Sequence, residues 1–319
     1  MGQLLKLLVQ RIALGLLLLL MVSVLIFAGT NILPGDVAQS ILGQSATPEA
    51  LANLRAELGL NEPALSRYFS WLGAALTGDL GTALTSGLDI ATEISKRLGN
   101  TLFLAFWAAI VAVPLAIFLG LLAVRYRDRW PDKLISAVTL ASISIPEFLI
   151  GYLLMFVVGV KLGWLPSTAI SYRPDADLLT RLQAIALPIS VLTLVVLAHM
   201  MRMTRAAILN VMQSAYIETA ELKGLTLFNI ILRHAFPNAV APIVNVVMLN
   251  LAYLVVGVVV IEVVFVYPGM GQYLVDHVSK RDLPVVQACG LIFAAVYIGL
   301  NMIADIVSIL SNPRLRHPK

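Results

Sequence analysis

The chain has 319 residues, 59% of them hydrophobic and only 13% charged, with a mean hydropathy of +0.90 and a formal net charge of +4. Soluble domains carry about 25% charged residues, so a soluble globular fold is excluded and the apolar surface belongs in a bilayer. The small positive balance is what membrane topology produces and gives no argument for nucleic acid. Cys289 is the lone cysteine, which excludes an intrachain disulfide or a cysteine metal cage.

Six stretches are long and apolar enough to cross a hydrocarbon core, which needs about 20 helical residues. They run from Leu8 to Ala28, Thr101 to Val124, Leu134 to Val160, Ala184 to Met201, Ala239 to Val266 and Val285 to Leu310. Strands of a membrane barrel would be shorter and alternate in polarity, so the composition predicts an all-α bundle. Lys6 and Arg11, the cluster Arg125, Arg127, Arg129 and Lys133, then Arg202, Arg205, Lys223 and Arg233, and finally Arg314, Arg316 and Lys319 fall on one side. That bias puts both termini in the cytoplasm. The first stretch could also be read as a cleaved signal peptide, but it is long and no A-x-A site follows it. Three parts result: residues 1–97 with one span and a long external loop, a five-helix core over 98–312, and a short cytoplasmic tail at 313–319.

In the external loop, Thr47 can cap a short amphipathic helix that starts at Pro48, presents Leu51, Leu54 and Leu58, and stops at Gly59. Tyr68, Phe69, Trp71 and Leu72 suit a membrane interface. Gly78-Asp79-Leu80-Gly81 reads as a turn. A second external loop from Lys161 to Gln183 carries the interfacial anchor Gly163-Trp164-Leu165-Pro166. No internal repeat is present.

Between spans four and five lies a polar, helix-prone island, Tyr216 to Gly224 continuing to His234-Ala235-Phe236-Pro237. A first helix is expected from the cap Ser214 to Lys223, stopping at Gly224, and a second from the cap Thr226 to about Phe236, ended by Pro237. Ile217, Ala220 and Gly224 share one face by spacing, where small side chains would let another surface approach, with Glu218, Glu221 and Lys223 around it. On spacing alone an ordinary connector lying on lipid headgroups is as good a reading as a docking surface.

Glu218-Thr219-Ala220, three residues, Gly224 and later Pro237 resembles the EAA loop of membrane subunits of bacterial ABC importers. Thr219 stands where the triplet usually has Ala, and Phe236 where Leu usually precedes the proline. Further stretches resemble the subfamily that imports oligopeptides, dipeptides and nickel chelates. They are Ile32 to Asp36, Ala46 to Glu49, Leu54 to Leu60, Thr219 to Leu225, Leu232 to Ala235, Glu262 to Phe265, Pro268 to Gly271, Arg281 to Gln287 and Asn312 to Arg314. The resemblance implies a type I, MetI-like permease of six transmembrane helices with a cytoplasmic coupling-helix loop in a bacterial inner membrane. It implies a second homologous permease, two cytoplasmic ATPase subunits that bind ATP and Mg, and a periplasmic solute-binding protein. It assigns ATPase coupling to Glu218, Thr219, Ala220 and Gly224. Arg205, with Arg202, either anchors that loop or simply sets topology.

Within the spans, Glu147 follows Pro146 about halfway through span three, where a charge is costly and should face a cavity or a partner. Ser142, Ser144 and Glu147 are therefore candidates to line a pathway, with Glu147 either meeting a substrate amine or serving as a protonated or paired structural carboxyl. Glu262 and Asp305 lie near span ends and read as structurally paired. His199 reads as a packed or interfacial residue and not a metal ligand, since no second His stands at ligand spacing. No phosphate-loop motif occurs, so ATP hydrolysis is expected in another polypeptide, with no cofactor or metal in this chain. The alternative is a secondary transporter driven by an ion gradient, using Glu147, Glu262 or Asp305 as proton sites. A membrane-embedded enzyme would need a catalytic constellation that the sequence does not contain.

Overall fold

Apolar runs of this length satisfy their backbone inside lipid only by forming helices, and the computed structural model is built of helices. It describes residues 2–32, 37–42, 46–57, 59 and 61–311. The Leu33 to Asp36 part of the external motif, Leu58, Leu60, Asn312 and the 313–319 tail, with Arg314, Arg316 and Lys319, lie outside the described residues. In chain order the helices are α1 (Gly2–Ile32), α2 (Val37–Leu42), α3 (Pro48–Glu57), α4 (Ala64–Leu76), α5 (Ile90–Arg125), α6 (Trp130–Ser144) and α7 (Glu147–Leu154). They continue as α8 (Leu178–Ala184), α9 (Ala186–Met212), α10 (Ala215–Leu222), α11 (Leu227–Asn229), α12 (Phe236–Phe265), α13 (Met270–Ser279) and α14 (Leu283–Ser311). Two π-helical segments, Met155–Lys161 and Ile230–Ala235, extend α7 and join α11 to α12.

Five helices are each long and apolar enough to cross a membrane, while the stretch expected to be a single third span is bent by 104° between α6 and the α7 unit. Proline explains the break: Ile145 is extended (φ −96°, ψ 130°) as the residue before Pro146 must be, and Pro146 has no N–H to continue the helix. The two arms are tied to opposite ends of the bundle. Near the end that carries the 213–236 segment, here the loop end, Arg205 Nε and Nη2 donate to the two oxygens of Asp132 at 2.9 and 2.7 Å. At the far end Ala169 N donates to Phe265 O at 2.7 Å. With the bent pair counted as one span, the described residues hold six candidate crossings.

Proline acts differently at the loop end. The second helix of the island does not stop before Pro237; it runs through the π segment straight into α12, giving an unbroken helical path from Leu227 to Phe265. Pro237 falls in the first turn of α12, where a missing N–H and a fixed φ are tolerated.

Close packing needs small residues where backbones meet. α5 offers Ala108, Ala112, Ala116 and Gly120 at four-residue spacing, buried against α9, and a Cβ on Gly120 would come within 2.8 Å of Thr204 Cγ2. The main core joins this seam to Leu192, Met200 and Met201 of α9 and to Val258, Phe265 and Tyr267 around the end of α12. α1 packs on α14: Arg11 pairs with Asp305 at 2.7 Å, Gly15 lies against Ile298, Ile26 lies over Gly290, and Gln287 Nε2 donates to Thr30 Oγ1 at 2.7 Å. Asp305 is paired, as its position near a span end suggested.

The segment after α1 follows its sequence signals. Thr47 Oγ1 accepts from Ala50 N at 3.2 Å at the head of α3, and Gly59 takes φ +63° beyond its end. The turn at Gly78 to Gly81 uses positive φ at both glycines, with Asp79 Oδ1 accepting from Gly81 N. Tyr68 is the exception to the interfacial reading. It is buried against α1, with its hydroxyl 2.8 Å from Ser23 Oγ and its ring edge-on to Phe27, whereas Phe69 stays outward. Asp89 caps α5 by accepting from Thr92 N at 2.8 Å, and its bonds to Thr92 hold its carboxyl below the usual carboxylate range.

Glu262 is fully buried near the end of α12 and holds the far end together. Its carboxylate accepts from Thr101 Oγ1 (2.6 Å), Gly271 N (2.7 Å) and Gln272 N (3.1 Å), while Thr101 Oγ1 also accepts from Met270 N (2.8 Å). The first three N–H groups of α13, unsatisfiable within that helix, are thus met by α5 and α12. Gly269 and Gly271 have to be glycine here: a Cβ on Gly269 would run into the Glu262 carboxylate, and one on Gly271 would come within 2.7 Å of the Val259 backbone. Glu262→Ala strips several buried donors of their acceptor, so we expect a loss of about 3 kcal/mol in detergent unfolding and faster hydrogen exchange over 270–272. An unchanged transition would show that this cap does not hold the far end.

Candidate functional site

The island between α9 and α12 divides its residues between inside and outside. Ser214 (φ −79°, ψ 144°) and Thr226 (φ −67°, ψ 145°) take the extended backbone of N-cap residues, although neither side chain makes the capping bond expected of it. α10 ends in a Schellman arrangement: Gly224 N donates to Glu221 O at 2.8 Å and Leu225 N to Ala220 O at 3.3 Å. Gly224 itself sits at φ +77° with open space where a Cβ would be, so its requirement is conformational and not steric.

The face formed by Ile217 and Ala220 points the opposite way from the docking face that spacing suggested. Both are buried against Val124, Ile208, Ile230, Ile231, Ala235, Ala239 and Ile243 of the same chain. Spacing reports which residues share a face but not which way that face turns. The exposed side of α10 carries Glu218, Thr219, Glu221, Leu222 and Lys223, with Leu222 83% exposed. Thr219 Oγ1 donates back to Ala215 O at 3.1 Å. Of the predicted coupling residues, Glu218 and Thr219 lie on the outer face, Ala220 on the inner, and Gly224 at the exit. Arg205 is not on the loop. Its bidentate bond to buried Asp132 ties α9 to α6, an arrangement in which removing either partner is expensive. Arg202 is exposed at the same end.

A cavity of about 580 Å³ opens beside the break in the third crossing. Glu147 and Ser142 line it together with His199, Asn250, Tyr253 and Asn301. Ser144, also expected on a pathway, is not among the lining residues; its hydroxyl donates to Leu140 O at 2.9 Å, as that of Ser142 does to Val138 O at 3.0 Å. Asn250 is buried, with Nδ2 2.8 Å from Val246 O and 3.1 Å from His199 Nδ1; His199 itself is exposed to the cavity and not packed away. Asn250, Tyr253 and Asn301 were missed in the sequence, although polar residues inside long apolar runs mark such linings. Among the described residues no group of three or more His, Cys, Asp or Glu could hold a metal ion.

A polytopic bundle with one proline-broken crossing, a structured loop at one end and a polar cavity beside the break is the framework of a membrane transport subunit. Residues 112–317 match the family described as binding-protein-dependent transport system inner membrane component, and residues 4–88 match the description of that component's N-terminal part. The chain is 35% identical over 312 residues to a Brucella abortus (strain 2308) protein assigned to a peptide transport system as its permease, covering 98% of this chain and 99% of the relative. It is 36% identical over 299 residues to the glutathione transport system permease protein GsiC of Escherichia coli (strain K12), covering 94% and 95%. Among solved structures, the MetNI methionine ABC transporter in inward-facing conformations shares the fold with a TM-score of 0.50 at 17% identity, covering 70% of this chain and 96% of that one. The chain belongs to the binding-protein-dependent transport system inner membrane component family, and is therefore a multi-pass inner-membrane permease.

Gly224→Ala places a Cβ at positive φ in open space. We expect a cost of about 1 kcal/mol, visible as faster hydrogen exchange in α10 with the rest of the bundle unaffected. A silent substitution would mean that the left-handed exit does not hold the loop.

Proposed function

We propose that this chain is the permease subunit of an ATP-driven ABC importer that carries peptides or related small solutes from periplasm to cytoplasm by alternating access. The family assignment and the peptide and glutathione relatives support this reading over the ion-gradient alternative. So does the engagement of two of the three candidate proton sites, Glu262 in capping α13 and Asp305 in pairing with Arg11. In this reading residues 1–97 form the first span and a periplasmic loop, residues 98–312 form the core, and both termini lie in the cytoplasm. A second, homologous permease completes the pathway, a periplasmic binding protein delivers solute, and two cytoplasmic ATPase subunits bind ATP and Mg. This chain hydrolyses nothing itself.

The observation that carries the mechanism is the two-sided character of α10. Its outer face, with Glu218, Thr219 and Leu222, is free to enter a cleft on an ATPase, while Ala220 and Ile217 are bedded on residues of α5, α9, the Ile230–Ala235 π segment and α12. Gly224 lets the chain turn sharply so that α10 stands as a separate projection. Arg205, through Asp132, links the same end of α9 to the broken crossing. Closure of the ATPases on ATP moves α10, and the bedding passes that movement to the helices around the cavity with Ser142 and Glu147; Ser144 sits on the adjoining turn. Shifting such a cavity from mostly inward to mostly outward requires a differential of a few kcal/mol. Hydrolysis returns it.

Leu222→Arg changes only the exposed tip. We expect the bundle to stay folded while ATPase attachment and solute accumulation both fall at least tenfold in reconstituted vesicles, where wild-type uptake is abolished by vanadate and survives collapse of the proton gradient. Uptake that resists vanadate and dies with the gradient would overturn the proposal in favour of secondary transport.

A further inference from the structure

The loop end carries a second cavity, of about 740 Å³, that neither the coupling surface nor the transport cavity uses. It lies where the apolar part of α5 ends, between Leu122, Arg125, Tyr126 and Arg129 on one side and Thr226, Leu227 and Phe228 on the other. The local charges are not balanced. Between residues 125 and 133 the two carboxylates are already matched, Asp128 by Arg127 at 3.4 Å and Asp132 by Arg205 at 2.7 Å. Arg125 and Arg129 have no carboxylate partner among the described residues. The Arg125 guanidinium is held instead over two rings, 5.5 Å from the Tyr126 centroid and 5.2 Å from the Phe228 centroid. Its position in the cavity is therefore set before any ligand arrives. The Thr226 hydroxyl makes no hydrogen bond among the described residues, which leaves it able to donate to an oxygen of the ligand.

The walls are apolar and face outward. Leu227 and Phe228 are half exposed, and Trp130, at the start of α6, is 74% exposed. An amphipathic aromatic beside an apolar helix end is what a headgroup boundary favours. A site with two unpaired guanidiniums, one hydroxyl and hydrocarbon walls at that depth fits a phosphodiester with acyl chains attached, because Arg binds phosphate in a planar, two-pronged way. Unmatched basic residues at the inner end of a span attract anionic lipid.

We propose that this cavity is a binding site for the headgroup of an anionic phospholipid, phosphatidylglycerol being the simplest, in the leaflet on the loop side. The proposal rests on the cytoplasmic placement of the loop in the reading above, but not on transport itself. One wall belongs to α5 and the other to the α11 segment that follows Gly224, so a bound headgroup braces the coupling loop against the end of α5.

The purified permease complex in nanodiscs tests this by native mass spectrometry. With phosphatidylglycerol and phosphatidylcholine supplied equally, we expect phosphatidylglycerol adducts to be retained at least tenfold over phosphatidylcholine. The double variant R125A/R129A should lose that preference. The double variant R127A/K133A removes two charges from the same segment outside the cavity and should keep it. Equal loss in both variants, or no preference in the wild type, overturns the site. Displacement of the adduct by millimolar glycerol phosphate identifies a soluble phosphate site and overturns the lipid assignment. Loss of ATPase subunits from R125A/R129A with lipid retention unchanged makes the surface a protein contact and overturns it as well. Adduct retention is read without any solute, so failure here leaves the importer reading standing, and failure of uptake leaves this site standing.

Discussion

The far end of the bundle depends on a single carboxylate used as a cap. A buried acid is costly unless its lone pairs are filled, and Glu262 fills them with a hydroxyl from α5 and two backbone N–H groups of α13. In return α13 gains an N-terminal partner of the sign its dipole prefers. The consequences spread outward. The chain leaves α12 through a left-handed Val266 (φ 54°), Tyr267 donates to Asn100 O at 2.7 Å, and Asn100 Nδ2 donates to Pro268 O at 2.8 Å. Asp282, just after α13, accepts from both Thr85 N and Thr85 Oγ1, which fastens the segment ahead of α5. Glu262 thus joins three helices, while Asn100, Tyr267 and Asp282 fasten the connections around them.

At the loop end the Arg205–Asp132 pair ties α9 to α6, and packing organises the bed beneath α10. Val124, Ile208 and Ile243 come from three different crossings and meet beneath Ile217 and Ala220. A short helix bedded in this way cannot rock without disturbing all three. Close-packed interiors transmit displacement because they have few voids to absorb it.

Much of this was legible in the sequence, for identifiable reasons. The spans announce themselves by apolar length, the α3 cap by Thr47 and Pro48, and the end of α10 by Gly224, since each signal is local. What was hidden depended on direction and context. Pro146 and Pro237 look alike as text, yet one breaks a crossing by 104° and the other sits in the first turn of a continuing helix. Pro114 and Pro242 likewise lie inside unbroken helices, so a proline alone does not announce a break. The inward turn of Ile217 and Ala220 needed the neighbouring helices to be seen, and so did the pairing of Arg205 with Asp132 across 73 residues. Asn250, Tyr253 and Asn301 were visible as polar residues in apolar runs, but only the fold gathers them around Glu147 and Ser142.

The π-helical stretch before Pro237 has a mechanical consequence. By widening the helix without interrupting it, this stretch makes residues 227 to 265 one continuous helical element roughly 55 Å long, with Pro242 inside it. One end of the element emerges beside α10 and the other carries Glu262. In the importer reading proposed above, a push beneath α10 is carried along this one element toward Asn250 and Tyr253, which lie near its middle, without any helix having to melt.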